Sequence, residues 1–407
     1  MNFQLLYLLT GLIFLWYRDA FWFSFQNFNG SWDGNFTFCN FKCFIILTVK
    51  GKNEETGCRL FDVPLAFHEA MIADITDARR YIYLEVYKFG SDEMGMRYRD
   101  ILTRKVSEGV KVKLLIDSWG ALFNSTFFDE FIKNGGELRL FRKMKISFDF
   151  FTKNHRRNHR KMLIIDDQIA YIGSANITGY SLNWRESVLR LTGGIAEIFK
   201  KSFLESFRIY NKYIFNKFSF KKTIVYNEFE LVQDNPSIYR QQIKSKLEKI
   251  VSQAQSEIFI ETPYFLPGYK LRKALAHAAH KGVKVTIILP QHSDVRAVDL
   301  LRNKYMGYYY ENDIRMMFYT PGNLHAKVLL VDDELFGLGS PNVDYRSFRY
   351  MHEVMLFGKN QDVVREVKNH IENTLQYSML FDYKTWTRRP KIEKVLGWIL
   401  LPFRHLF

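Results

Sequence analysis

The sequence predicts an α/β protein of two duplicated lobes, each a mixed sheet flanked by helices, related by a pseudo-twofold axis around one shared active site. Two observations support this fold. The motif HxKxxxxD occurs at residues 159–166 and again at residues 325–332, and each copy is followed by a turn of small residues that ends in Asn. The segments around the two copies also match, which indicates an internal duplication rather than a chance pattern.

The elements of the two halves follow the same order. Residues 81–85 and 257–261 are apolar runs rich in β-branched and aromatic side chains, and each predicts a strand. Each run is followed by a helical stretch, by a strand that begins after Gly109 or Gly282, and by the strand that carries the motif. This alternation is typical of an α/β layered domain, whose central strands are apolar on both faces because helices cover both sides.

Length and charge limit the organisation of the chain. Its 407 residues are enough for two domains with cores of their own. We predict an N-terminal apolar and aromatic segment at residues 1–55, a first lobe at 56–228, a second lobe at 229–383 and a C-terminal segment at 384–407. The formal net charge of +15 predicts an anionic partner, either a nucleic acid or an acidic membrane surface.

The cysteines predict neither a disulfide framework nor a zinc site. There are three, Cys39, Cys43 and Cys58, all near the N-terminus, and their odd number argues against a set of disulfides. Cys39 and Cys43 resemble half of a zinc site, but the second pair of ligands that such a site needs is missing.

The N-terminal segment is a candidate membrane anchor. Residues 3–17 form an uncharged apolar run, which is shorter than the ~20 residues that a spanning helix needs. The run also lacks the basic start and the small-residue cleavage site of a secretory signal. A membrane-surface or single-pass anchor is the preferred interpretation, and an extension packed on the domain is the alternative.

The C-terminal segment also predicts contact with a membrane. Residues 395–403 are an apolar stretch that contains Trp398 and follows a group of basic residues. Those basic residues are Lys384, Arg388, Arg389, Lys391 and Lys394. Basic residues beside an apolar segment with Trp favour an interfacial position on anionic lipid. An ordinary helix docked on its own domain is the alternative.

Each copy of the motif predicts an imidazole and an ammonium group side by side. Side chains at positions i and i+2 of a strand share a face, so His159 is expected beside Lys161, and His325 beside Lys327. Such pairs around one cleft suit a phosphodiester, because fixed cations stabilise the charge that grows on its oxygens during attack at phosphorus. The two lysines also repel a metal ion, so the histidines are not expected to be metal ligands.

The two histidines allow a division of labour. One can attack phosphorus to form a phosphohistidine, while the other protonates the departing alkoxide and then activates the acceptor. Each imidazole then needs one nitrogen held by an acceptor, usually a carboxylate. Glu186 and Glu353 follow the Asn turns at nearly equal offsets and are the candidates, with solvent-facing carboxylates as the alternative.

The remaining repeated polar residues are expected to support this chemistry. Asp166 and Asp332 complete the motifs, but their parity is opposite to that of the histidines, so they are expected to face away and hold a strand end or a loop. The turns after the motifs add neutral groups that can bond phosphate or position the histidines. These groups belong to Ser174, Asn176, Ser340 and Asn342.

These residues resemble the phospholipase D superfamily, which is defined by the HxKxxxxD pair and the Gly-Ser-x-Asn turn. Within it the chain is most similar to bacterial cardiolipin synthases. The similarity covers roughly residues 62–390. It depends on the phrases NHRK at residues 158–161, WRE at 184–186, TPYFLP at 262–267 and GSPNVDYRSF at 339–348.

The resemblance implies transfer of a phosphatidyl group from one phosphatidylglycerol to the hydroxyl of another, giving cardiolipin and glycerol without a metal or cofactor. It implies His159 as nucleophile and His325 as general acid and base. It also implies an anionic phospholipid and a membrane surface as partners, no nucleic acid, and a location at the bacterial cell membrane, peripheral or single-pass anchored. Two residues depart from the family pattern: His352, where Asn is common, and Pro341, where Ala is usual.

Three other functions stay open on the residues alone. The same chemistry with water as acceptor gives a phospholipase D that releases phosphatidic acid. A metal-independent nuclease suits the net charge of +15, but the terminal apolar segments and the duplication within one chain argue against it. A non-catalytic membrane-binding protein is the third alternative, and the two intact HxK pairs argue against that function.

Overall fold

The computed structural model describes most of the chain from residue 56 onward. The described residues are 46–49, 56–141, 155–211, 222–237 and 239–404. The apolar run at residues 3–17, with Cys39 and Cys43, lies outside them. Cys58 is a free thiol.

The strands have the following bounds. Those of the first half are β1 (Ile46–Val49), β2 (Cys58–Phe61), β3 (Tyr81–Val86), β4 (Phe89–Gly90), β5 (Lys111–Asp117), β6 (Ala121–Leu122), β7 (Glu137–Phe141), β8 (Arg157–Asn158), β9 (Met162–Ile165), β10 (Ile169–Gly173) and β11 (Val188–Thr192). Those of the second half are β12 (Lys222–Tyr226), β13 (Phe229–Asp234), β14 (Glu257–Glu261), β15 (Lys284–Pro290), β16 (Arg315–Tyr319), β17 (Val328–Val331), β18 (Leu335–Gly339), β19 (Met351–Gly358) and β20 (Ser378–Leu380).

The helices cover the faces of the sheets. They are α1 (Pro64–Asp77), α2 (Glu93–Ser107), α3 (Asp129–Lys133), α4 (Ala196–Ile209), α5 (Gln242–Gln253), α6 (Tyr269–His280), α7 (Arg296–Asn303), α8 (Met306–Glu311), α9 (Tyr345–Tyr350), α10 (Gln361–Gln376), α11 (Tyr383–Thr387) and α12 (Lys391–Leu400). Among the described residues, no helix has the length and apolar character needed to cross a membrane.

The two halves repeat one sheet topology. The first sheet has the strand order β2-β11-β10-β9-β3-β5-β7. The second contains the order β19-β18-β17-β14-β15-β16, which matches β11-β10-β9-β3-β5-β7 strand for strand. Strand directions match too, because β3 is parallel to β5 and antiparallel to β9, as β14 is to β15 and β17. The duplicated α/β fold expected from the sequence is therefore confirmed.

The second sheet extends beyond the repeat. It adds β13, β12 and β1 on one edge and β20 on the other, so two strands that precede residue 229 belong to it. A tight turn with Asn227 in the left-handed region, at φ 48°, joins β12 to β13. The short strand β8 also pairs with β19, which ties the residues just before the first motif to the second lobe.

Each motif leads into a tight hairpin. The turn between β9 and β10 places Asp166 and Asp167 at φ 54° and 60°, and the turn between β17 and β18 places Asp332 and Asp333 at 55° and 53°. Two consecutive positive φ values are typical of the two-residue hairpin turn, and Asp is one of the few residues other than Gly that adopts them at modest cost.

The expectation that the HxK residues lie within a strand is wrong in detail. The strands begin at Met162 and Val328, each one residue after the motif lysine. The reason lies in the backbone hydrogen bonds of the histidines, which cross to the other lobe: the His159 N–H donates to the His352 carbonyl at 2.9 Å, and the His325 N–H to the Arg185 carbonyl at 2.7 Å.

The apolar core joins the lobes. One continuous cluster contains residues of both sheets, among them Ile164 and Leu189 of the first and Leu330 and Val354 of the second, all buried. Two further clusters lie within single lobes. Because burial of apolar surface is the main stabilising contribution to folding, this shared cluster fixes the position of one motif relative to the other.

The C-terminal segment forms α12 followed by a single helical turn. Gly397 is buried in close approach to the Leu300 carbonyl of α7, and Leu400 packs beside that helix. The opposite face is exposed and apolar. Its large side chains are Ile392, Val395, Leu396, Ile399 and Phe403.

Candidate active site

A cavity of about 190 Å³ is lined by residues of both lobes. His159 and Asn176 come from the first lobe, and His325 and Asn342 from the second. The four residues are buried. The structure thus brings the two motif histidines and the two turn asparagines to one cavity.

Each histidine is oriented by a glutamate of the other lobe. His159 Nδ1 lies 3.0 Å from Glu353 Oε1, and His325 Nδ1 lies 2.9 Å from Glu186 Oε2. Both glutamates are 1% exposed, so their oxygens are held by groups of the protein, the imidazoles among them. The carboxylate fixes the proton of each ring on Nδ1 and leaves Nε2 free for chemistry.

The turn serines hold these glutamates. The Ser174 hydroxyl donates to Glu186 Oε2, and the Ser340 hydroxyl donates to Glu353 Oε2. Each serine also accepts the backbone N–H of the residue that follows the glutamate, at 2.8 Å for Ser187 and 3.0 Å for Val354. The sequence predicted that the serines either contact phosphate or position the histidines. Their bonds to the glutamates fit the second role.

The two asparagines differ in what holds them. Asn176 Oδ1 accepts the backbone N–H of Lys88 at 3.2 Å, and the Asn342 N–H donates to the Ser347 hydroxyl at 3.2 Å. Both side chains reach the cavity wall. The amide of Asn176 can therefore donate a hydrogen bond to a ligand oxygen, and that of Asn342 can do so beside the bond that it shares with Asp344.

The motif lysines are buried next to the histidines of their own motifs. Lys161 Nζ donates to the His159 carbonyl at 2.7 Å, and Lys327 Nζ donates to the His325 carbonyl at 2.5 Å. Burial lowers the pKa of Lys161 to about 7 and that of Lys327 to about 8. Burial thus makes the charged form of these lysines less favourable than it is in water. A bound phosphodiester would favour the charged form again.

The two histidines differ in their electrostatic surroundings. Burial and the cations Lys161 and Lys327 hold the pKa of His159 well below its ordinary value. Burial also lowers the pKa of His325, but the carboxylate of Glu186 opposes that effect. His325 therefore takes up a proton more easily than His159.

The two glutamates differ as well. Burial raises the pKa of the Glu353 carboxyl to about 7, although Lys161 and Ser340 act against it. Burial acts in the same direction on Glu186, but His325 and Lys327 outweigh it, so the pKa of Glu186 lies below its ordinary value. The ion pair between Glu186 and a protonated His325 is thus the more stable of the two.

The motif aspartates lie at the hairpin turns, away from the lining of the cavity. Asp166 accepts the backbone N–H groups of Arg79, Arg80 and Tyr81 at 2.6, 2.8 and 2.7 Å. Asp332 accepts those of residues 255–257 in the same way. Each carboxylate therefore holds the start of the neighbouring strand, β3 or β14.

Sequence reasoning missed two arginines next to site residues, of which Arg160 is buried and Arg185 half-buried. Arg160 Nε donates to the Glu353 carbonyl at 3.2 Å. Arg185 donates to the Thr374 hydroxyl at 2.6 Å and pairs with Asp62 at 3.1 Å. The sequence could have indicated these arginines by their position, since each directly follows or precedes a residue of the site.

The departure from the family pattern at His352 is accommodated by the structure, because its Nδ1 lies 2.9 Å from Asn235 Oδ1.

Fold and site together define the class of the protein. Two matching α/β halves that bring two HxK motifs to one cavity, with a glutamate on each histidine, describe a two-lobed phospholipase D-like protein. The family described as "Cardiolipin synthase, PLD-like domain" matches residues 71–206 and 247–375. The chain belongs to this family.

Relatives of known name agree with this assignment. The chain is 34% identical to a cardiolipin synthase of Listeria welshimeri over 74% of its own length and 65% of that protein's. It is 31% identical to cardiolipin synthase 1 of Staphylococcus epidermidis over 86% of its own length and 74% of that protein's. The chain thus spans about two thirds of the length of the Listeria relative.

A solved structure agrees in fold. Phosphatidylserine synthase of Haemophilus influenzae superposes with a TM-score of 0.66 at 16% identity, covering 86% of this chain and 95% of that one. At this identity the likeness supports the two-lobed fold and says nothing of the substrate.

Proposed function

We propose that this chain is a cardiolipin synthase, which transfers a phosphatidyl group from one phosphatidylglycerol to a hydroxyl of a second and releases glycerol. The observation on which the proposal rests is the shared cavity, which is lined by two imidazoles, each oriented by a buried glutamate of the opposite lobe. The names of the relatives support the choice of lipid substrates.

In the first step, His159 Nε2 attacks the phosphorus of the donor lipid. The P–O bond to the glycerol headgroup breaks as the P–N bond forms, and His325 gives its proton to the departing glycerol oxygen. His159 suits the attack because burial and the nearby cations keep its lone pair free of a proton. His325 suits proton donation because Glu186 stabilises its charged form.

In the second step, the hydroxyl of the acceptor lipid attacks the phosphohistidine. His325, now neutral, accepts the hydroxyl proton, the P–N bond breaks, and the new P–O bond completes cardiolipin. Lys161 and Lys327 stabilise the charge on the non-bridging oxygens in both steps, and Asn176 and Asn342 add neutral hydrogen bonds.

The lipid substrates require access to a membrane surface, and we assign that contact to α12 and the following turn. The exposed apolar face of this segment lies beside basic residues such as Lys391 and Lys394. Trp398 is 66% exposed, with Lys304 Nζ 3.4 Å above its ring. An apolar face with Trp and flanking cations suits the interface of an anionic bilayer, and this supports the proposal that the protein acts at the bacterial cell membrane.

The proposal is tested by incubating the purified full chain with vesicles of phosphatidylglycerol and separating the products. Cardiolipin and glycerol are expected in equal amounts, and His159→Ala and His325→Ala proteins prepared in parallel exclude a contaminating enzyme. Phosphatidic acid without cardiolipin would replace the synthase proposal with a phospholipase D. Release of nucleotides from DNA, with no lipid product, would point to a nuclease.

A further inference from the structure

The two lobes contribute matching motifs to the site but different residues to the rest of the cavity wall. The third residue after the glutamate that closes each matched apolar run is Lys88 in the first lobe and Tyr264 in the second, and both line the cavity. The second lobe also contributes Asp294 and Arg346 to this wall. The two sides of the cavity therefore offer different partners to a bound molecule, although the motifs themselves are alike.

Hydrogen bonds within its loop and from Tyr264 hold Asp294 in place. It lies between β15 and α7, directly after Ser293, whose N–H donates to Asp299 at 2.9 Å and whose hydroxyl donates to the Val295 carbonyl at 3.1 Å. The Tyr264 hydroxyl donates to Asp294 Oδ1 at 2.6 Å. Burial keeps the pKa of Tyr264 well above its ordinary value. The phenol therefore keeps its proton and donates a hydrogen bond to Asp294.

Asp294 lines the cavity although it is exposed to solvent. Its carboxylate needs an explanation, because a negative charge there disfavours the phosphodiester that the histidines and lysines are arranged to bind. A carboxylate is a strong acceptor of hydrogen bonds and has no donor. Asp294 Oδ1 already accepts from Tyr264, and the carboxylate has further lone pairs to offer. Its complement is a ligand group that donates a hydrogen bond, either a hydroxyl or an ammonium.

The surrounding charges favour the hydroxyl. Lys88 and Arg346 line the same cavity, and Lys161 and Lys327 lie close behind the histidines. A second carboxylate, that of Asp344, also lines the cavity, but it already accepts the Ser347 N–H at 2.7 Å. An ammonium group would meet repulsion from Lys88 and Arg346, whereas a neutral alcohol would not. A headgroup with several hydroxyls can also place one on Asp294 and present another for reaction.

We propose that Tyr264 and Asp294 form the subsite for a polyol headgroup, which holds the hydroxyl-bearing end of the acceptor lipid beside His325. This inference rests on the proposed transfer reaction. The same subsite would receive the glycerol that leaves in the first step, because the leaving and the entering alcohol occupy the same side of phosphorus. The negative charge of Asp294 acts on His325 and Lys327, where it opposes the lowering of both pKa values by burial.

The subsite is tested by alcohol exchange, in which the phosphohistidine passes its phosphatidyl group to a free alcohol and His325 takes the alcohol proton. Full-length protein is given phosphatidylglycerol vesicles with radiolabelled glycerol, ethanol or ethanolamine, and kcat/KM is measured for each alcohol. We expect Asp294→Asn to lower the ratio of glycerol to ethanol about tenfold, as the loss of a hydrogen bond to a charged group does. Tyr264→Phe should shift the ratio in the same direction by less, and Asp77→Asn, an exposed carboxylate on α1, is the matched control.

The outcomes separate this inference from the function on which it rests. An active wild-type protein whose glycerol-to-ethanol ratio stays unchanged in both variants would overturn the subsite and leave the transferase intact. A selective loss of ethanolamine transfer in Asp294→Asn would overturn the polyol assignment in favour of an ammonium headgroup. A wild-type protein that makes neither cardiolipin nor any phosphatidyl alcohol would overturn both proposals.

Discussion

His159 of the first lobe and Glu353 of the second form a buried pair across 194 residues of sequence, with Nδ1 3.0 Å from Oε1. His325 and Glu186 form the reciprocal pair at 2.9 Å, across 139 residues. Neither lobe therefore contains a complete site, since the proton position on each imidazole is set by the other lobe. In the proposed mechanism, docking of the lobes is therefore a precondition of the chemistry rather than only a means of bringing two half-sites near each other.

The first prediction concerns these carboxylates. Glu353→Gln keeps the shape of the side chain but offers an amide that can donate to Nδ1, which would fix His159 in the wrong tautomer. We expect kcat of phosphatidyl transfer to fall by about a hundredfold or more, while KM changes little. Glu186→Gln should have the same effect through His325, and Glu372→Gln, on the exposed face of α10, serves as control. Transfer at the wild-type rate in Glu353→Gln would show that the pair is only structural.

The sequence indicated which residues are candidates for the site, but not which of them contact one another. The repeat made both histidines and both glutamates candidates, and the structure brings each histidine into contact with a glutamate. It left open which glutamate serves which histidine, because that pairing follows from how two sheets pack, and no local pattern encodes it. The direct evidence lies in hydrogen bonds between lobes, such as the His159 N–H to the His352 carbonyl.

The second prediction assigns the nucleophile. Both His159→Ala and His325→Ala should abolish turnover, but only the His325→Ala protein should accumulate a phosphohistidine, because it retains the attacking imidazole and lacks the base for the second step. A donor lipid labelled with radioactive phosphorus and carrying a leaving group that needs no proton would reveal the intermediate after alkaline denaturation. Label trapped in His159→Ala and absent from His325→Ala would exchange the two roles.

The third prediction concerns the aspartates that close the motifs. Asp166 accepts three backbone N–H groups at the start of β3, and an Asn at this position offers one uncharged acceptor oxygen in place of the carboxylate. We expect Asp166→Asn to lower the free energy of unfolding by about 1–3 kcal/mol, with kcat little changed at temperatures where the protein stays folded. Urea unfolding measures the first quantity, and Asp100→Asn on the exposed side of α2 is the control. A large loss of kcat in a fully folded Asp166→Asn protein would contradict this structural role.

The walls of the cavity could not be predicted from the motifs. Tyr264 belongs to a phrase that marks the family resemblance, yet its partner Asp294 comes from a loop thirty residues later and has no repeated counterpart. The repeat predicts what the lobes share, so residues that make them different produce no periodic signal. The same limit applies to Lys88 and Arg346, which reach the cavity from dissimilar positions in the two lobes.

The fourth prediction is the pH dependence of kcat/KM. Lys161 and Lys327 must be protonated to hold the phosphodiester, and burial lowers their pKa values to about 7 and about 8. A lysine with a lowered pKa is charged below that value and neutral above it. We therefore expect kcat/KM, which reports the free enzyme, to fall as pH rises above about 8, whereas near pH 7 the ionisation of Glu353, whose pKa is raised to about 7, acts in the opposite direction. His159 stays neutral on the acidic side because its own pKa is lowered.

A pH profile of kcat/KM with phosphatidylglycerol in mixed micelles would check this expectation. Lys284→Met, which removes an exposed lysine at the start of β15, should leave the profile unchanged. A value of kcat/KM that rises as pH increases above about 8 would mean that Lys327 acts as a neutral base, which would remove its assigned role as a fixed cation.

The fifth prediction concerns the membrane contact of α12. Ile399 is 57% exposed on its apolar face, so Ile399→Asn should leave folding intact and remove a side chain that enters the lipid interface. We expect the partition coefficient onto phosphatidylglycerol vesicles to fall about tenfold, as one large apolar side chain would cause. Leu65→Asn is the control, because Leu65 is 55% exposed on α1 of the first lobe. Binding should also weaken with added salt, because the basic residues around α12 act through screened charges. Equal partition of both variants and the wild-type protein would show that another part of the chain makes the membrane contact.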